Sequence, residues 1–211
     1  MFVSEVMNQP AITLSADDSV RYAAQLLLRH RIASAPVVDA DGGLVGIVSE
    51  ADLIRSRLHQ DPRAFLLTHD EAADPDEEGP YVADVMAASV VSVQARGDAS
   101  DAARLLMDSG VRALPVVQGH RVVGVVARRD LLRSLARPDE DVAHDIRQLL
   151  DELEYGGGVD IDVEDGVVSL RGAKTASAQR IATVLARTVP GVVRVLTAAD
   201  FSLDAPGHRR R

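Results

Sequence analysis

The stretch that decides the fold of this chain is Gly46-Ile47-Val48-Ser49-Glu50-Ala51-Asp52, and it returns 78 residues later as Gly124-Val125-Val126-Ala127-Arg128-Arg129-Asp130. Further matches lie upstream at an offset of 79: Val6-Met7 with Val85-Met86, and Pro36-Val37-Val38 with Pro115-Val116-Val117. The change in offset indicates that one hairpin has lost a residue. A long internal repeat indicates two copies of one supersecondary unit that bury their apolar faces against each other. We therefore predict two related clefts beside the seam.

Each copy is predicted to run strand, helix, strand, strand, helix. Apolar residues at helical spacing predict the first helix of each copy, and we expect them to share a buried face: Val20, Ala23, Ala24, Leu27 and Leu28, then Ala99, Ala102, Ala103, Leu106 and Met107. β-Branched runs joined by glycine turns predict the hairpins: Ala35 to Asp39 with Leu44 to Val48, and Leu114 to Gln118 with Arg121 to Val126. The leading strands are predicted at Ile12 to Leu14 and Val90 to Val93, and the second helices near Glu50 and Arg128.

A different pattern begins at Asp139 and indicates a separate small domain. A helix containing Val142 and Ile146 is followed by glycines, and alternating strands then meet at Asp165-Gly166. An Asp-Gly pair between alternating strands is a strong hairpin signal. A second helix and a last strand, Val192 to Thr197, complete the order αββαβ. The predicted division is the first copy of the repeat at 1–68, an acidic flexible linker at 69–80, the second copy at 81–138, the small domain at 139–203, and a basic tail at 204–211. The fold class is therefore α/β in the broad sense, or α+β.

Composition and charge narrow the function. The formal net charge is −9, with six carboxylates between Asp70 and Glu78. This argues against a nucleic-acid partner, because the phosphate backbone is bound by basic surfaces. The chain has no cysteine, which excludes disulfides and thiolate metal sites. We expect a cytoplasmic protein, because the first residues form no basic leader and no apolar run reaches the roughly 18 residues needed to cross a bilayer.

Residues with catalytic chemistry are not grouped in the sequence. The histidines follow no metal-ligand spacing: His30, His59, His69, His120, His144 and His208. The sequence also contains no G-x-S-x-G elbow and no P-loop. We therefore expect neither an enzyme nor a metal site.

The junction of strand and helix at Ser49 and Asp52 admits two explanations. In the first, the two residues form a capping box, in which Ser49 bonds a free amide of the first turn and Asp52 bonds the Ser49 amide. In the second, the free amides and the hydroxyl suit a phosphate, while the carboxylate one turn on accepts bonds from ribose hydroxyls. The motif alone leaves both explanations open.

The complete repeat resembles the CBS domain, found in tandem as the Bateman module, over residues 3–138. The resemblance implies two pseudo-symmetric clefts for adenosine-containing ligands such as AMP, ADP, ATP or S-adenosylmethionine, and a homodimer formed through the CBS pair. Carried over by position, Asp52 holds ribose and Ser49 holds phosphate. Thr13, Ala33, Ala35 and Pro36 line the adenine pocket of this first cleft.

The second copy departs from the motif, because Ala127 stands where the first copy has Ser49. The resemblance gives Asp130 the ribose role, and Arg129 and Arg112 are candidates for a charge-assisted bond to phosphate. Leu114 and Pro115 would line the pocket. The alternative is that these arginines are solvated. We predict unequal sites, with tighter binding at Asp52 than at Asp130.

The last domain resembles the BON domain through the segments Val163 to Gly172 and Val189 to Val193. This family has been proposed to bind phospholipid. However, residues Asp139 to Leu203 contain twelve acidic and six basic residues, and an anionic membrane repels such an excess of negative charge. We therefore expect a protein contact rather than a lipid contact, and the alternative is a small stabilising module with no ligand. Two functions remain: an adenosine-nucleotide sensor that regulates an unknown protein, or a ligand-free dimerisation scaffold with BON-mediated association.

Overall fold

The structure, a computed structural model, describes residues 1–57, 81–155 and 157–197. The predicted acidic linker and basic tail lie outside these residues. Backbone packing divides the chain into two compact units. Residues 7–97 and 101–127 form one unit, and residues 1–6, 98–100 and 128 onward form the other. Among the described residues, no helix is long and apolar enough to span a bilayer.

The first copy has the predicted order of elements. They are β1 (Leu14–Ser15), α1 (Val20–His30), β2 (Ser34–Val38), β3 (Leu44–Ser49) and α2 (Glu50–Arg57). The sheet order is β1-β2-β3, with β1 parallel to β2 and β3 antiparallel to it. The leading strand is shorter than predicted and begins later, because the ladder contains only the pairs Leu14 with Val37 and Ser15 with Val38.

The second copy repeats this arrangement. It comprises a short helix α3 (Val82–Val85), then β4 (Val93–Gln94), α4 (Ala99–Asp108), β5 (Ala113–Gln118), β6 (Arg121–Ala127) and α5 (Arg128–Leu135). The sheet order is β4-β5-β6, with the same strand directions as in the first sheet. Both hairpins shift register at equivalent places, after Val37 and after Val116. The short helix α3 and the 3₁₀ turn Val3–Glu5 occupy matching positions and were not predicted.

The predicted buried face of the first helices is partly wrong. Val20, Ala23 and Leu27 are buried as predicted, but Leu28 is 76% exposed and its counterpart Met107 is 62% exposed. Leu26 is buried instead. At about 100° per residue, Leu28 lies about 130° around the helix from the centre of the buried face. The apolar stripe is therefore wider than the surface that each sheet covers.

The two copies exchange their leading segments. Asn8 pairs with Val125 of β6 through two backbone hydrogen bonds of 2.9 and 3.0 Å. Ala87 pairs with Ile47 of β3 through another two, of 2.9 and 3.0 Å. Val82 of the second copy is also fully buried in the core of the first copy. In the predicted pseudo-symmetric packing, the leading segment of each copy thus pairs with the last strand of the other copy.

This exchange explains why glycine and methionine recur together in the repeat. A Cβ at Gly124 would lie 2.5 Å from the Sδ of Met7 and 2.9 Å from the Asn8 carbonyl oxygen. A Cβ at Gly46 would collide with the Sδ of Met86. Any larger residue at either place would force the methionine of the other copy to shift.

The last domain forms α6 (Asp139–Glu152), β7 (Asp160–Glu164), β8 (Val167–Arg171), α7 (Ala176–Ala186) and β9 (Arg194–Leu196), in the predicted order αββαβ. The sheet order is β7-β8-β9. The predicted turn lies at Asp165 and Gly166, whose φ values are 49° and 73°. The carboxylate of Asp139 accepts hydrogen bonds from both turn amides, at 2.8 and 2.9 Å. This contact fixes the helix to the hairpin.

Candidate functional site

The unit formed by residues 7–97 and 101–127 contains a cleft of about 410 Å³. The first copy contributes Ala33 and Ser34 at the start of β2, Ile47 on β3, and residues 49–52 and 54 at the start of α2. The second copy contributes residues 110–113, where the chain enters β5. This volume falls within the range of about 300 to 1,000 Å³ that is usual for small-molecule sites. Both copies thus supply walls of one cleft, as the repeat predicted.

Ser49 and Asp52 form the predicted capping box at this cleft. The backbone N–H of Ser49 donates to the Oδ2 of Asp52 at 2.9 Å, and the Ser49 hydroxyl donates to the same oxygen at 2.6 Å. The Asp52 N–H points back to the Ser49 Oγ at 3.4 Å. The contacts stabilise the first turn of α2 by roughly 1 to 2 kcal/mol. The N–H of Glu50 donates to the carbonyl oxygen of Ala33 at 2.9 Å, which holds the junction against β2.

The second oxygen of Asp52 has a looser environment. Its Oδ1 lies 3.7 Å from the Nη1 of Arg55, and the Asp52 side chain remains 24% exposed. A separation of 3.7 Å is too long for a hydrogen bond. With respect to the described residues, the carboxylate therefore keeps acceptor capacity on the side that the cap does not use.

An ion pair joins the two walls of the cleft. The Nη1 of Arg112, from the second copy, lies 3.7 Å from the Oε2 of Glu50, from the first. Both side chains are open to solvent, at 79% and 49% exposed. Arg112 was a candidate for the second cleft and lies in the wall of the cleft at Asp52, and Glu50 is a partner that the sequence reasoning missed.

The structure brings together four of the predicted site residues: Ala33, Ser49, Asp52 and Arg112. Ala35 and Pro36 lie in β2, and Leu114 and Pro115 lie in β5, where consecutive residues are buried; none of the four lines the cleft. Thr13 is half-buried directly before β1, outside the cleft wall.

Apolar residues of the wall were also missed. Ile47, Ile54 and Val111 line the cleft. Ile47 and Ile54 flank the Ser49–Asp52 motif, and Val111 directly precedes Arg112, so their proximity to the motif was the available signal.

The counterpart of Asp52 in the second copy lies in the other compact unit. Asp130 is on α5 and is 4% exposed, and its Oδ1 lies 3.2 Å from the Nη1 of Arg133. Arg128 and Arg129 are exposed. The acid of the second motif is therefore more deeply buried than Asp52.

Comparison with known proteins identifies two domain types. The sequence matches the CBS domain over residues 3–59 and 82–137, and the BON domain over residues 138–199. A CBS domain-containing protein of Dictyostelium discoideum is 31% identical over 143 residues, which cover 67% of this chain and 96% of that protein. An uncharacterized protein of Methanocaldococcus jannaschii is 26% identical over 164 residues, or 77% of this chain. The chain spans 37% of the length of that relative.

Among solved structures, the CBS-pair protein CBSX2 of Arabidopsis thaliana superimposes with a TM-score of 0.52 at 28% identity, over 63% of this chain and 92% of that chain. A structure of CBSX2 in complex with AMP gives the same TM-score and identity, over 63% of this chain and 94% of that chain.

Proposed function

The chain belongs to the CBS-domain family and carries a BON domain after its CBS pair, and from this premise we propose that it is a regulatory protein that binds an adenosine-containing ligand. The ligand class is AMP, ADP, ATP or S-adenosylmethionine. The observation that carries the proposal is the cleft that places Ser49 and Asp52 of one copy opposite Arg112 of the other. The complex of CBSX2 with AMP supports it.

The chemistry of the cleft suits each part of such a ligand. The carboxylate of Asp52 can accept hydrogen bonds from the ribose hydroxyls. The N–H groups of Ser49, Glu50 and Asp52 already have partners within the protein, so what the start of α2 offers an anionic group is the positive end of the helix dipole. Ile47, Ile54 and Val111 offer apolar walls for a purine base. A mostly apolar wall with a few polar groups is the usual composition of a small-molecule site.

The remaining parts of the proposal follow from the domain arrangement. Binding favours one arrangement of a homodimer, and the BON domain or an unknown regulated protein responds to the change, which requires that the ligand bind the two states with different affinities. Leu28 and Met107 support the homodimer, since their matched exposed positions leave apolar surface uncovered on α1 and α4. We assign the protein to the cytoplasm and give it no catalytic role.

A thermal-shift series with adenosine, AMP, ADP, ATP and S-adenosylmethionine tests the proposal, with calorimetry for affinity. A ligand at about 100 times its dissociation constant stabilises the protein by roughly 2.7 kcal/mol. Asp52→Asn should remove most of this shift, while Asp130→Asn should reduce it less, in line with tighter binding at the first motif.

Asp84→Asn is the matched control for Asp52→Asn. Asp84 accepts a hydrogen bond at 3.0 Å from the backbone N–H of Tyr81, three residues earlier, just as Asp52 accepts one from Ser49. Asp84 does not line the cleft. Loss of binding in Asp52→Asn alone separates ligand contact from helix capping. Equal loss in both variants would leave Asp52 with a structural role only.

The alternative function is a ligand-free dimerisation scaffold. It is favoured by the capping box itself, because the contacts of Ser49 and Asp52 are already made within the protein. The scaffold predicts no thermal shift with any of the five adenosyl compounds and a dimer that is insensitive to them in analytical ultracentrifugation.

A further inference from the structure

We propose that Glu50 makes the cleft at Asp52 selective for adenosyl ligands of low negative charge, namely adenosine, AMP and S-adenosylmethionine, over ADP and ATP. This inference rests on the proposed function, because it concerns which ligand the same cleft takes.

Glu50 stands at the place where a phosphate would approach. It is the first residue of α2 and directly follows Ser49, and it lines the cleft with its side chain half exposed. The amino terminus of a helix is the positive end of its dipole and attracts anions. The Glu50 carboxylate in the same turn already interacts with this positive end of the helix, and it repels a second anion. The positive end of the α2 dipole therefore has a fixed negative charge beside it.

The charged side chains of the cleft wall do not neutralise the negative charge of a polyphosphate. The cleft is lined by two carboxylates, Glu50 and Asp52, and one guanidinium, Arg112, so the formal charge of the lining is −1. The whole chain has a formal charge of −9. Each added phosphate thus enters a negative site on a negative protein, where like charges oppose binding.

Arg112 can serve one phosphate at most. Its guanidinium lies 3.7 Å from the Glu50 carboxylate, with both side chains largely in solvent. Exposed pairs of this kind are weak, so a single phosphate can draw Arg112 away from Glu50. Among the residues that the structure describes, the lining holds no second cation for further phosphates, and Glu50 is then left without its partner. The cleft therefore favours ligands with one phosphate or none.

The second copy provides the contrast within the same chain. Where the first motif has Glu50 and Ala51, the second has Arg128 and Arg129. The two motifs share the aspartate, but Glu50 corresponds to the oppositely charged Arg128 and the neutral Ala51 to the cationic Arg129. This difference in sequence is what two sites for ligands of different charge require.

The test compares dissociation constants for adenosine, AMP and ATP by calorimetry in EDTA, so that ATP carries its full charge. Glu50→Gln should tighten ATP binding about tenfold, which corresponds to about 1.4 kcal/mol, and should change adenosine binding less than twofold. Arg112→Gln should weaken AMP and ATP but leave adenosine unchanged. Glu164→Gln, an exposed strand residue of the BON domain, is the control with the same change in net charge.

The outcomes separate this inference from the proposed function. Suppose adenosine binds and Asp52→Asn abolishes binding, yet Glu50→Gln leaves the ratio of ATP to adenosine affinity unchanged. The charge selection by Glu50 is then wrong, and the sensor proposal stands. If none of the three compounds binds, and ADP and S-adenosylmethionine also give no thermal shift, both are wrong. The selective effect of Glu50→Gln should shrink in 0.5 M NaCl, because salt screens exposed charges. An effect of equal size at high salt would also overturn a charge-based selection.

Discussion

Replacement of Gly46 by alanine tests the exchange of segments between the two copies. The added Cβ would collide with the Sδ of Met86 and lie 3.1 Å from its Cγ and 3.3 Å from the carbonyl oxygen of Ala87. Favourable contacts between such atoms begin near 3.5 Å, so the methionine must shift. Overpacking of this kind costs about 1 to 3 kcal/mol. We expect Gly46→Ala to lower the free energy of unfolding by about 1 to 2 kcal/mol in urea titrations.

A double-mutant cycle with Met86→Ala then isolates the contact. Met86→Ala removes the Sδ and Cγ atoms, which are the two nearest neighbours of the new methyl group. The double variant should therefore be more stable than the sum of the two single changes predicts, by about 1 kcal/mol. Coupling energies of this size are well above the few tenths expected for independent sites.

The equivalent cycle at Gly124 and Met7 is the internal control. Here the new Cβ would also lie 2.9 Å from the carbonyl oxygen of Asn8, and that backbone is held by hydrogen bonds to Val125. Met7→Ala should therefore rescue Gly124→Ala less than Met86→Ala rescues Gly46→Ala. If Gly46→Ala is neutral or stabilising, or if neither cycle shows coupling, the steric explanation of the repeated glycines is refuted.

Three further predictions concern other parts of the chain. The backbone N–H of Ser100 lowers the pKa of the Asp98 carboxyl at the start of α4. A carboxyl whose pKa falls on folding adds stability above its unfolded pKa and loses it as the pH drops through the folded value, so Asp98→Ala should lower the melting temperature at pH 7 and much less below about pH 3. Asp139→Asn should cost about 1 to 2 kcal/mol in urea unfolding, because an amide offers one acceptor oxygen where the carboxylate serves two turn amides; an unchanged midpoint would contradict this. Leu28→Asp should shift the mass measured by light scattering from dimer to monomer, and a persistent dimer would place the interface elsewhere.

The fold was predictable where local chemistry and repetition agree. The turn at Asp165 and Gly166 requires two positive φ values, and the sequence offers the pair that adopts them most readily. The hairpins followed from their β-branched runs. The order of elements in each copy was predictable because it occurs twice, so that each copy tests the assignment made in the other.

The exchange between copies was not predictable from local patterns. Met7 and Gly124 match Met86 and Gly46 in the repeat, but a match states only that two residues play the same part. Which copy the methionine packs against depends on tertiary pairing between distant segments. The exposed side of α1 was missed for a related reason, since an apolar stripe does not show how much of its width a single sheet covers.

One part of the cleft could be identified from the Ser49–Asp52 motif, and the other part only from contacts between the two copies. The spacing of Ser49 and Asp52 suited a helix start, and the resemblance to the CBS domain then gave Asp52 the ribose role. Glu50 was missed because an exposed acid in the first turn of a helix is ordinary, and only its approach to Arg112 of the other copy gives it a role. The partner of Glu50 belongs to the other copy, so the sequence of one copy does not show the pair.

Capping and ligand binding are compatible duties for Ser49 and Asp52. The cap uses the Oδ2 of Asp52 for both bonds from Ser49, while Oδ1 is 3.7 Å from the Nη1 of Arg55. A ribose hydroxyl can therefore bond to Oδ1 without breaking the cap. The cap even favours binding, because a side chain already fixed by two hydrogen bonds loses less freedom when a ligand arrives. On this argument Ser49→Ala should weaken adenosine binding although adenosine carries no phosphate, and unchanged adenosine affinity in that variant would show that the cap contributes nothing to the site.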